Sequence, residues 1–107
     1  MMRRRMLKSK ISRITVTGAD VDYHGSISLD PDLLNAADIR EWEQVVVLDV
    51  TNGARLETYA IVGAPGEVRI NGAAARLVDP GDTILVLSYA DYDEDDLADY
   101  APTIVKP

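Results

Sequence analysis

The feature that most restricts the fold of this chain is a succession of short β-branched and apolar runs separated by turn-forming residues. The runs lie within 7–21, 45–50, 54–62, 68–70 and 83–89, and the turn signals include Asn52-Gly53, Ala64-Pro65-Gly66 and Asp79-Pro80-Gly81-Asp82. Such residues favour pleated strands, and glycine, proline and asparagine favour the turns between them. The pattern predicts an all-β fold. We favour a barrel, because closure removes the exposed edges that short strands otherwise leave.

Local signals refine this prediction. Asp30 is a typical helix N-cap and Pro31 suits the first helical position, so a short helix is expected through Ala37. A second helical turn is expected over 72–77. The residues 18–20 are expected to form a turn that ends or divides the first strand, and Asn52-Gly53 to form a tight hairpin turn with positive φ at both positions.

The 107 residues, 47% of them apolar, fit a single domain over 1–107. Such a small barrel gains buried area by association, so an oligomer is expected. The lack of cysteine and the single histidine leave little material for a disulfide or a metal site, and we expect no metal. No segment resembles a membrane span or a secretory signal, so a cytoplasmic protein without membrane contact is expected.

The charge is unevenly distributed. The first thirteen residues carry a formal charge of +6, whereas the remainder sums to −13. The basic segment is interpreted as a solvated strand face rather than a nucleic-acid arm, because most of the chain is acidic. The acidic tail, about 91–107, is expected to be solvated and partly disordered. It departs from a calcium-binding EF-hand loop, which needs glycine and glutamate where this chain has Asp96 and Pro102.

The step Gly25-Ser26 admits two interpretations. Taken alone, it indicates an ordinary turn. Alternatively, the Ser26 hydroxyl attacks the Gly25 carbonyl and converts the amide to an ester, which then eliminates to dehydroalanine and hydrolyses to a pyruvoyl group. Glycine would permit close approach of the attacking oxygen, and a nearby donor would stabilise the oxyanion. Cleavage would leave a β chain, 1–25, and an α chain, 26–107.

The rest of the chain favours the second interpretation. The relevant segments are Met6-Leu7, Lys10-Ile11, Tyr23-X-Gly25-Ser26, Thr51-Asn52-Gly53-X-Arg55-X-X-Thr58-Tyr59-Ala60-Ile61, Asn71-Gly72-Ala73-Ala74-Ala75 and Gly81-Asp82. In this order and spacing they resemble the pyruvoyl-dependent aspartate 1-decarboxylases over most of the chain. No single segment is distinctive, so the resemblance depends on the whole set.

The resemblance implies a six-stranded double-psi β-barrel and a homotetramer that converts L-aspartate to β-alanine and CO2 for pantothenate synthesis. It also implies a covalently bound pyruvoyl group made from Ser26, which can serve as an electron sink without pyridoxal phosphate. The implied roles are cleavage at Gly25 and Ser26 assisted by Thr58, proton donation by Tyr59, and substrate binding by Lys10, Arg55, Thr58, Gly72, Ala73 and Ala74, with Tyr23 and Asn71 in support.

Two alternatives stay open at this point. The first is a pyruvoyl decarboxylase of another acidic amino acid, such as glutamate, because substrate length depends on how two cations are placed. The second is an uncleaved, non-enzymatic β-barrel that binds a partner. His24 receives no catalytic role. The sequence also leaves open whether maturation is spontaneous or needs a helper protein.

Overall fold

The computed structural model describes residues 1–107. The strands are β1 (Arg3–Thr15), β2 (Gly18–Asp20), β3 (Ser26–Leu29), β4 (Gln44–Asp49), β5 (Arg55–Val62), β6 (Val68–Asn71), β7 (Thr83–Asp93) and β8 (Thr103–Val105). One α-helix, α1, spans Pro31–Ala37, and 3₁₀ helices span Gly72–Arg76 and Glu94–Asp96. No helix is long and apolar enough to cross a bilayer.

The sheet closes on itself because one continuous stretch of chain, from β1 to β2, pairs with β7 at one end and with β6 at the other. The hydrogen-bonded order is β2-β6-β3-β5-β4-β7-β1-β8, and only Val16 and Thr17 separate β1 from β2. The N–H of Val16 donates to the carbonyl of Asp82, just before β7, whereas the N–H of Thr17 donates to that of Val68 in β6. β1 and β2 therefore share one strand position, which with β6, β3, β5, β4 and β7 makes six around a closed barrel, while β8 pairs with β1 outside this circuit. This closure confirms the predicted all-β barrel.

The barrel interior is filled by one side of each strand, as the alternation of the sequence requires. Its fully buried side chains are aliphatic and include Ile11, Ile27, Val47, Ile70 and Val86. β3 is buried on both faces. Its apolar residues face the interior and its two serines occupy the other face, so polar groups are enclosed there without entering the core.

The first predicted helix is confirmed. The side chain of Asp30 accepts a hydrogen bond from the N–H of Asp32, and Pro31 occupies the first helical position of α1. The second predicted helical turn is the 3₁₀ helix that begins at Gly72.

Two local predictions are wrong. Residues 18–20 form β2, which pairs in parallel with β6, because the chain must continue there to close the barrel. At Asn52-Gly53 only Gly53 has a positive φ, of 79°. The turn is closed by Asp49, whose N–H donates to the Ala54 carbonyl and whose carbonyl accepts from the Gly53 N–H.

The acidic segment pairs with the basic amino terminus, which corrects the expectation of partial disorder, although most of the tail is exposed to solvent as expected. β7 extends to Asp93 and pairs with β1, which places Arg3 beside Asp93 and Arg5 beside Asp91. Arg4 pairs with Glu94. Each exposed ion pair adds little stability by itself. Together the three ion pairs explain the uneven charge, because basic residues of β1 face acidic residues of the tail. They also engage three of the six basic groups that a nucleic acid would need.

A buried pair of carboxyl groups lies where β4 ends. Asp49 is 1% exposed and Asp82 9% exposed. Oδ1 of Asp49 accepts hydrogen bonds from the N–H groups of Thr51 and Asn52, whereas its buried Oδ2 has no partner other than the Asp82 carboxyl. Burial raises the pKa of Asp49, and the hydrogen bond with Asp49 lowers the pKa of Asp82. As pH falls, Asp49 is therefore the first of the two carboxyls to take up a proton, which it can donate to Asp82.

We expect Asp49→Asn to increase stability at neutral pH. A raised pKa stabilises the folded state at low pH, and that contribution is lost as pH rises through the folded-state value. The asparagine amide would donate to Asp82 at every pH, so the variant should gain about 1 kcal/mol at pH 7. Urea unfolding between pH 4 and 8 measures this difference. A variant whose profile runs parallel to the parent's would show that no proton is shared.

Candidate active site

The Ser26 hydroxyl lies at the start of β3, in a closed polar environment. Ser26 is 0% exposed. Its Oγ donates to the carbonyl of His24 at 2.9 Å and accepts from Nδ2 of Asn71 at 3.0 Å. The same Nδ2 donates to Oγ of Ser28 at 3.0 Å, while the buried Oδ1 of Asn71 has no partner. One amide therefore holds the predicted nucleophile in a single position, and one polar acceptor beside it stays unused.

The main chain at Gly25, directly before Ser26, is in close contact with a second glycine, Gly72. Gly25 is exposed, its φ lies outside the left-handed region, and a β-carbon added to it would meet nothing within 4 Å. Gly72 has a φ of 76°, and a β-carbon there would lie 2.6 Å from Cα of Gly25. The prediction that glycine at position 25 admits the attacking Ser26 oxygen stays a prediction. A further close approach, between backbones remote in sequence, is made by Gly72.

Thr58 and Tyr59 reach this region along β5, which runs parallel to β3. Ala60 is the Cα partner of Ile27, so extending the register places Tyr59 beside Ser26 and Thr58 beside Gly25. Successive side chains point to opposite faces of a strand. Tyr59 therefore lies on the same face as the Ser26 hydroxyl. Thr58 lies level with Gly25, on the opposite face.

Trp42 is a further residue of this region, and sequence reasoning did not select it. Its ring lies 5.5 Å from that of Tyr59, and its backbone N–H donates to the carbonyl of Ala60. The side chain is 69% exposed, and φ is 76°, which is rare for a bulky residue. Trp42 therefore packs beside Tyr59 while its own side chain stays largely exposed to solvent. What distinguishes Trp42 is the exposure of its large side chain, and the exposure of a residue cannot be read from one sequence.

Arg55, one of the two predicted carboxylate-binding cations, lies away from Ser26 within the chain. It precedes Tyr59, the register neighbour of Ser26, by four residues, which is about 13 Å along β5. Neither Arg55 nor Lys10 forms an ion pair. Glu57, the obvious partner for Arg55, accepts instead from Nε2 of Gln44. Arg55 lies in a surface groove of about 500 Å³ that also contains Tyr89. Both cations are thus left without a carboxylate partner.

The remaining predicted residues surround the Gly25-Ser26 step unevenly. In the 3₁₀ helix, Ala73 is exposed, whereas Ala74 packs against the core. The ring of Tyr23 lies 5.4 Å from that of His24, and the Arg69 guanidinium lies 5.5 Å from the Tyr23 centroid. These contacts stabilise the loop that leads into the step.

The arrangement is thus a buried Ser26 hydroxyl that directly follows the exposed residue Gly25. Tyr59 lies in register beside Ser26, and Gly72 closely approaches the Gly25 main chain. A comparison with known protein families agrees with this arrangement. The family model described as aspartate decarboxylase matches residues 2–107, which is nearly the whole chain. The match includes every residue of this site, and the chain belongs to the aspartate decarboxylase family.

Proposed function

We propose that the chain cleaves itself between Gly25 and Ser26 and then decarboxylates L-aspartate to β-alanine with a pyruvoyl group derived from Ser26. The observation that carries the proposal is the Ser26 hydroxyl, which is buried, fixed by Asn71 and His24, and adjacent to the Gly25 carbonyl. A turn-forming serine would instead be exposed. The product would supply pantothenate synthesis, and the cysteine-free chain suits the reducing cytoplasm.

Cleavage needs no group beyond the chain and water. Oγ of Ser26 forms a bond to the Gly25 carbonyl carbon as the C–N bond breaks, and the hydroxyl proton ends on the Ser26 nitrogen. Loss of the Ser26 α-proton then expels the Gly25 carboxylate, and hydrolysis of the resulting dehydroalanine releases ammonia. Thr58, in register with Gly25, is our candidate donor to the oxyanion of the first step.

The side chains around Ser26 fit a pyruvoyl group. In such a group the ketone oxygen would take the place of the Ser26 nitrogen and Cβ would become the methyl carbon, while Oγ would leave on the new Gly25 carboxylate. The buried Asn71 amide, whose Nδ2 now donates to Oγ and whose Oδ1 has no partner, would then have a donor and an acceptor available beside the group. When present, the group supplies an electron sink for the loss of CO2. Tyr59 lies on the same face, where its hydroxyl can deliver a proton to the carbon that loses CO2.

Substrate binding requires cations, and the single chain keeps Arg55 away from Ser26. L-Aspartate carries two carboxylates, and the net charge of −7 makes long-range attraction unfavourable. We propose a homotetramer in which Arg55 or Lys10 of a neighbouring subunit completes each site. An arginine can pair with one carboxylate in bidentate fashion, and a lysine can bind the other as a point charge. Ala73, with Gly72 and Ala74, would line the remaining side.

Mass spectrometry tests the proposal directly. Under denaturing conditions we expect two fragments, 1–25 and 26–107, the larger lighter by one ammonia than a chain that begins with serine. Under native conditions the two should remain together, because β1 of the small fragment lies between β7 and β8. Treatment with borohydride and aspartate should add mass only to the larger fragment.

Substrate identity needs a separate measurement. We expect kcat/KM for aspartate to exceed that for glutamate by about 10- to 200-fold, the range expected for one methylene. A reversed preference would retain the pyruvoyl chemistry and change the substrate. A chain that stays whole and forms no adduct would instead favour a non-enzymatic binding module.

A further inference from the structure

We propose that Gly72 is a positioning residue for self-cleavage: its bare backbone fixes the Gly25 side of the bond that Ser26 attacks. This inference rests on the proposed function, because it concerns the same Gly25-Ser26 bond. It assigns to Gly72 a role in maturation that is separate from lining the substrate site.

The first observation is the register of β3 and β6. Ser26 is the Cα partner of Asn71 in this antiparallel pair. Gly25, directly before β3, therefore faces Gly72, directly after β6. A β-carbon on Gly72 would lie 2.6 Å from Cα of Gly25, 2.8 Å from its N and 3.3 Å from the carbonyl oxygen of Tyr23. These neighbours are backbone atoms, which cannot rotate away as a side chain could. Any side chain at position 72 must therefore displace the Gly25 main chain.

The second observation is that the Ser26 side of the bond is already fixed. Oγ is held between the His24 carbonyl and Asn71 Nδ2, and the body of β3 is paired on both sides. The orientation of the Gly25 carbonyl then decides whether Oγ approaches its carbon correctly. Gly25 has open space on its own Cβ side, so the contact with Gly72 is what restrains it. A displacement of about 1 Å in such a step can cost about 100-fold in rate.

The structure supplies a matched control in Gly66. Its φ of 79° nearly equals the 76° of Gly72, yet a β-carbon there would meet nothing within 4 Å. Gly66→Ala therefore introduces similar backbone strain without the contact. Conversely, Gly72→Asn relieves part of the strain, because asparagine tolerates positive φ, while it retains the β-carbon.

The experiment measures the half-life of the freshly refolded precursor by denaturing mass spectrometry. We expect Gly72→Ala and Gly72→Asn to slow cleavage by about 100-fold, whereas Gly66→Ala should cleave within about threefold of the parent because its site stays unaltered. A hydroxylamine pulse traps the ester, and its amount should fall in the Gly72 variants. Such a fall places the defect in the acyl shift and not in the later elimination.

Stability is compared in the Ser26→Ala background, where no chain can be cleaved. We expect the Tm losses caused by Gly72→Ala and Gly66→Ala to agree within about 4–8 °C, the equivalent of about 1 kcal/mol in a domain of this size. A larger loss, or an unfolded Gly72 variant, would show a structural role and overturn the inference. Unslowed cleavage in either Gly72 variant would also overturn it. A parent chain that fails to cleave would instead refute the proposed function.

Discussion

Replacing Ser26 with alanine should leave an intact 107-residue chain with no decarboxylase activity. The substitution removes the only oxygen placed to attack the Gly25 carbonyl, and with it the source of the pyruvoyl group. Because alanine also lacks the hydrogen bonds to His24 and Asn71, the fold should lose about 1–2 kcal/mol, which a barrel of this size can tolerate. Denaturing mass spectrometry and a β-alanine assay measure the two effects on one preparation.

Ser28→Ala is the matched control. Ser28 is also buried on β3 and also accepts a hydrogen bond from Nδ2 of Asn71 at 3.0 Å, but no glycyl carbonyl precedes it. We expect this variant to cleave and to show a similar loss of stability. Activity or cleavage that persists in Ser26→Ala would remove Ser26 from the mechanism, and loss of both in the two variants would indicate a general packing defect.

Replacing Tyr59 with phenylalanine should separate turnover from maturation. The ring remains, so its packing against Trp42 is preserved and the chain should still cleave. Only the hydroxyl that we propose as proton donor is lost, and general acids of this kind contribute about 10²- to 10⁴-fold. We therefore expect kcat for aspartate to fall by that factor with little change in KM, measured on fully cleaved enzyme.

Tyr92→Phe controls for the loss of a phenol elsewhere in the barrel. Tyr92 lies on β7 opposite Arg4, where its ring packs against Tyr100, outside the site. Its kcat should match the parent within about twofold because it lies outside the site. If Tyr59→Phe also retained the parent kcat, another group would have to deliver the proton.

The predictions from sequence succeeded where the physics is local. Short runs of β-branched and apolar residues between turn signals identified strands such as β4 and β5, because these residues favour a pleated backbone. Asp30 and Pro31 identified the start of α1, because an N-cap and a first-turn proline act within one turn of helix. The segment around Gly25-Ser26 and its family resemblance selected a buried serine and a tyrosine in register beside it.

The predictions failed where distant segments interact. The acidic residues Asp91 and Asp93 looked like part of a partly disordered tail because their partners, Arg5 and Arg3, are more than eighty positions away. Residues 18–20 looked like a turn because only barrel closure gives them a strand to pair with. The close contact of Gly72 with the Gly25 main chain was missed, because a sequence does not show which backbone segments approach each other.

Local patterns in the sequence were enough to predict most of the strands, the helix cap and the family, because apolar runs, capping residues and motif order belong to neighbouring residues. The hydrogen bond from Asn71 to Ser26, the contact of Gly72 with Gly25 and the separation of Arg55 from Ser26 emerged from the three-dimensional arrangement. Strand register and barrel closure set these distances. They follow from pairing between strands that are remote in the chain, and such pairing is a property of the whole barrel.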